Sequence, residues 1–77
     1  MKLHGYARKQ LTPLGLMEIS EVTFAGTATS IRKIARFLLS AADEMDRRGA
    51  AFDHEHIREQ FADWHERWPD VIVARGR

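Results

Sequence analysis

The chain has 77 residues, 44% of them hydrophobic, with no cysteine and a formal net charge of +1. A chain this short buries only about 60% of the surface its unfolded form exposes, so residues 1–77 are expected to make one domain with little wall to spare for a deep cleft. The lack of cysteine removes disulfides, zinc–thiolate sites, iron–sulfur clusters and thiol nucleophiles.

The chain opens Leu3-His-Gly-Tyr-Ala-Arg8, which reads as a strand, and Thr12-Pro-Leu-Gly15 reads as the turn that follows. A second strand is expected from Met17 to Ala25, where Ile19, Val22, Thr23 and Phe24 favour extended backbone. Its alternation slips near Ser20 and Glu21, which predicts a bulge. Gly26-Thr-Ala-Thr-Ser30 then supplies hydroxyl caps. Ile31, Ile34, Ala35, Leu38, Ala42 and Met45 recur at helical spacing up to Arg47-Arg48-Gly49, a left-handed stop preceded by charges that suit the negative helix end.

A second helix is expected from an Asp53 cap to Trp68-Pro69, with Ile57, Phe61, Trp64 and Trp68 in one narrow apolar stripe. Asp70-Val-Ile-Val-Ala74 reads as a third strand, antiparallel to the second. The expected fold is therefore α+β, in the order β-β-α-α-β: a small three-stranded, mainly antiparallel sheet with two helices packed on one face. The last strand shows no alternation, which suggests cover on both faces, one by the helices and one by a second subunit; a homodimer is expected.

The charges are unevenly spread. Residues 1–36 hold six basic residues against two acids, and residues 37–77 hold six arginines against nine acids. On a helix through residues 53–68, Glu55, Glu59, Asp63 and Glu66 would share the face opposite the apolar stripe. Such a face is either an ordinary solvated surface or a carboxylate surface that steers and selects a basic partner. Arg32, Lys33 and Arg36 stand in the first turns of the first helix, against its dipole, which marks a second candidate contact or simply pairs with Glu18 and Glu21. These seven residues are the candidate partner-binding set.

Catalytic patterns are absent. Gly26–Ser30 is neither a phosphate loop nor a nucleophile elbow, and the His-Glu pairs at 54–55 and 65–66 lack the second histidine of a zinc-protease helix. No enzyme activity and no cofactor are expected. DNA binding is disfavoured by the acidic second half, and no apolar run approaches a membrane span, so the expected compartment is the cytoplasm. An alternative uses His54 and His56, which would point to one side of an extended backbone and could ligate a metal, with His4 or His65 in support; on a helix they diverge.

Together, Glu21-Val-Thr-Phe24, Ile31-Arg-Lys-Ile-Ala-Arg-Phe-Leu38, Ala42 with Met45, His54-x-His56, Trp64 and Asp70-Val-Ile-Val73 resemble small bacterial immunity proteins of polymorphic toxin systems. The resemblance spans most of the chain and implies stoichiometric binding and neutralisation of a cognate toxin, without catalysis or cofactor. It transfers no individual contact residue, so the contact set remains the seven charged residues above. A third reading is a housekeeping homodimer whose apolar sheet face serves only self-association.

Overall fold

Thr27 starts the central element. In the computed structural model, which describes residues 1–11 and 17–76 (side chains of 7–11 excepted), α1 runs Ala28–Arg48. The Thr27 Oγ1 accepts a hydrogen bond from the Ser30 amide at 3.2 Å, and the Ser30 hydroxyl donates back to the Thr27 carbonyl at 2.9 Å. Such a cap stabilises a helix by about 1 kcal/mol relative to alanine. At the other end Gly49 takes φ 53°, which a glycine adopts without strain, and its amide donates to Met45.

Two strands precede α1. β1 (Lys2–Leu11) and β2 (Met17–Ala25) pair antiparallel, with Lys2 opposite Ala25 and Tyr6 opposite Glu21. Ala7 then pairs with Ile19, so Ser20 is the extra residue of the expected bulge, and its hydroxyl donates to the Tyr6 carbonyl at 3.2 Å. The expected turn at residues 12–15 lies outside the described residues.

Beyond α1 the structure departs from the expected second helix. A 3-10 turn over Gly49–Ala51 leads into a short strand, β3 (His54–His56), then a single helical turn, α2 (Ile57–Gln60), and the last strand, β4 (Ile72–Ala74). The helical propensity of residues 53–56 loses to tertiary pairing: His54, Glu55 and His56 lie opposite Ala74, Val73 and Ile72, and the Ile57 amide donates to Val71 at 2.8 Å. After Gln60 the chain proceeds by turns, with the Trp64 amide donating to Phe61 and the Trp68 amide to His65. Turns of three residues keep an approximately helical spacing, so Ile57, Phe61, Trp64 and Trp68 still face the core although no continuous helix carries them.

The architecture is thus α+β with two separate two-stranded sheets, β1-β2 and β3-β4, and not one three-stranded sheet. β4 joins β3 and not the hairpin. β4 also alternates after all: Val73 packs on the core while Ile72 is exposed, so the expected cover on both its faces is not needed.

The core sits between α1 and the 52–73 segment. Ile34, Phe37, Ala41, Phe52, Ile57 and Trp64 are buried, with Val71 and Val73 packed against them. The buried side of α1 therefore runs Ser30, Ile34, Phe37, Ala41, rotated from the expected stripe, and Ile31 and Leu38 are exposed. Both stripes have helical spacing, and only the packing of 52–73 decides between them. Trp64 anchors that segment: its indole N–H donates to the Pro69 carbonyl at 3.0 Å, and its ring meets Trp68 edge-on with centroids 4.9 Å apart. No described helix is long and apolar enough to cross a membrane.

Candidate functional site

The loss of the long second helix redistributes the candidate residues. Glu55 sits on β3 with its side chain only 12% exposed, one oxygen 3.9 Å from an Arg48 nitrogen and the other buried without a hydrogen-bond partner. It is a covered carboxylate and not part of an open face. Glu59 lies in α2 and is exposed, and Asp63 and Glu66 are exposed in the turns that follow.

The two charged groups of the sequence meet at one point. The Lys33 ammonium on α1 bonds the Asp63 carboxylate, which ties the 61–68 turns to the helix. That hydrogen bond, aided by the lysine charge, holds the Asp63 carboxyl below the usual carboxylate range against the opposing effect of burial. Lys33 is half-buried, whereas Asp63 remains largely exposed and able to meet a second cation. Arg32 and Arg36 are exposed on α1 and bond no acid among the described residues. The result is a segment, 59–66, that presents Glu59, Asp63 and Glu66 beside one edge of α1.

A second cluster, absent from the sequence reading, shapes this segment from behind. Asp70 accepts from the His56 Nδ1 at 2.6 Å and from the Arg58 amide at 3.5 Å, with the Arg58 guanidinium 4.0 Å away. Because a carboxylate only accepts, the proton of that imidazole is placed on Nδ1. Arg58 also donates to the carbonyls of Glu66 and Trp68, so one guanidinium closes the loop between α2 and β4. The only sequence hint was Asp70 itself, placed between Pro69 and an apolar run, fourteen residues after His56.

The histidine pair meets the geometric condition set for it. Residues 54–56 are extended and the two rings lie on one side, with centroids 5.0 Å apart. Yet both Nδ1 atoms already face carboxylates, His54 at 2.5 Å from Asp53 and His56 at 2.6 Å from Asp70. Among the described residues no three histidine, aspartate or glutamate side chains gather as a metal would require.

The chemistry on display is that of a surface, in which exposed carboxylates are held by a fixed loop on a small α+β frame. Comparison with models of known families matches residues 21–76 to Immunity protein 32, and the chain belongs to this immunity-protein family. The match takes in β2 from Glu21 onward, α1 and everything to residue 76, and it leaves out β1. No curated protein and no solved structure matches the chain.

Proposed function

We propose that the chain neutralises a cognate protein toxin by binding it stoichiometrically, as a non-catalytic cytoplasmic inhibitor. Membership of the Immunity protein 32 family carries this reading, because a family defined by immunity implies a toxin to be bound. The toxin-contact surface in this reading is Glu59, Asp63 and Glu66. They are exposed, they lie within the short segment 59–66, and the Arg58–Asp70 and Lys33–Asp63 contacts fix that segment before binding, which lowers the ordering entropy a complex has to overcome. Glu55 acts indirectly, by holding β3 against the Arg48 end of α1.

The matching toxin surface is basic, and such complementarity speeds association and selects the partner more than it adds contact energy. Glu59→Lys with Glu66→Lys, which leaves the Lys33–Asp63 pair intact, is expected to weaken toxin binding by about tenfold to a thousandfold, mostly through slower association at low salt. The far-ultraviolet circular dichroism should stay that of the parent chain. An affinity unchanged by both reversals, measured by calorimetry with the purified toxin domain, would remove this loop from the interface.

A further inference from the structure

The β1-β2 hairpin leaves an apolar face without cover. Every residue of β2 is exposed, and the register places Phe24 and Val22 on the face that carries Gly5. Ile19 shares it, since its Cδ1 lies 3.8 Å from the position a Cβ on Gly5 would take. His4, Tyr6, Glu21 and Thr23 occupy the other face. On α1, Ile31, Leu38 and Leu39 are likewise outside the core, so that these six large side chains are between 37% and 69% exposed.

The size of the uncovered surface is that of an interface. The chain exposes 6170 Å², whereas a compact monomer of 8.9 kDa exposes about 4,800 Å². Its radius of gyration is 13.5 Å against about 11.5 Å for a compact domain of this length. The excess is larger than the roughly 800 Å² that each partner contributes to a standard interface, and it falls in the range of permanent homodimers.

A two-stranded hairpin in water is marginal on its own. Whatever covers it has to accompany the folded chain at all times, with or without a toxin, and a second copy of the chain is the molecule that meets this condition. In a two-fold arrangement each protomer offers one hairpin and one helix face, so both apolar surfaces of both copies are closed together.

We propose that the chain is a homodimer in which the apolar face of the hairpin of one protomer lies across the Ile31–Leu38–Leu39 face of the other. The interface is independent of which toxin is bound. Sedimentation equilibrium on the full chain at tens of micromolar tests it: twice the monomer mass is expected, shifting toward the monomer mass in Val22→Glu and in Leu38→Glu. Because the chain has no cysteine, a second test survives any loss of folding in those variants. Val22→Cys chains mixed with Leu38→Cys chains of a different tag length should give a mixed product with a short bis-maleimide. A monomeric wild-type chain overturns the proposal, and so does a dimer that yields no such mixed product.

Discussion

Phe37→Ala is expected to abolish cooperative folding near room temperature. Phe37 is 1% exposed and faces Ile57 and Trp64, so the substitution removes the side chain that joins α1 to the 52–73 segment. A buried phenylalanine truncated to alanine costs about 3–5 kcal/mol through lost burial and the cavity left behind. The whole stability of a domain is roughly 5–15 kcal/mol, and a 77-residue chain with six buried hydrophobic residues among those described belongs at the low end. Short strands and one-turn helices such as β3, α2 and β4 have little stability of their own, so they are lost with the packing. Urea titration followed by circular dichroism, at one fixed protein concentration, measures the effect. Ser40→Ala, on the outward side of the same helix, should stay within about 0.5 kcal/mol of the parent. A Phe37→Ala midpoint close to that of the parent would mean that α1 does not pack as described.

Asp70→Asn is expected to destabilise the chain by about 1–2 kcal/mol at neutral pH and to flatten its acid sensitivity. Burial pushes the Asp70 carboxyl up, but the hydrogen bond to His56, the Arg58 amide and the charges of both side chains outweigh it and hold the group below the usual aspartate range. A depressed carboxyl favours the folded state once the unfolded carboxyl is ionised. That contribution is complete above the unfolded aspartate pKa of about 3.9 and is lost as the pH falls through the lower folded value. The stabilities of parent and variant should therefore differ most at neutral pH and converge in acid. Asp63 and Glu44, whose carboxyls are also held low by Lys33 and Arg47, titrate in both proteins and cancel in the difference. Urea midpoints taken from neutral pH down through the carboxylate range give the two curves directly. Parallel curves would exclude a charged Asp70 at the centre of the β3–β4 junction.

Local signals decided how much of this fold was legible. α1, its Thr27 cap, its Gly49 stop and the Ser20 bulge depend on residues within a turn of one another, and the sequence shows them plainly. The identity of the aromatic core was legible too, because Ile57, Phe61, Trp64 and Trp68 keep a three-to-four-residue spacing whether a helix or a chain of turns carries them. Residues 54–56 were misread because their pairing partner lies some eighteen residues away, and no local pattern announces a three-residue ladder. The face of α1 was misread for a similar reason: Ile31–Leu38 and Ile34–Phe37–Ala41 are both apolar at helical spacing, and only the docking of Trp64 distinguishes them. Of the charged candidates, Lys33 and Asp63 form one ion pair rather than belonging to two separate surfaces, and Glu55 is covered by Arg48.

The immunity reading is tested most directly by growth. Cells would express whichever protein the tagged chain retains from the lysate of its source, alone and together with the chain. If the chain is an immunity protein, the retained partner alone arrests growth, co-expression restores it, and the two proteins purify as a complex with one chain per toxin. A retained partner that leaves growth unimpaired, or an arrest that the chain does not relieve, would contradict toxin neutralisation.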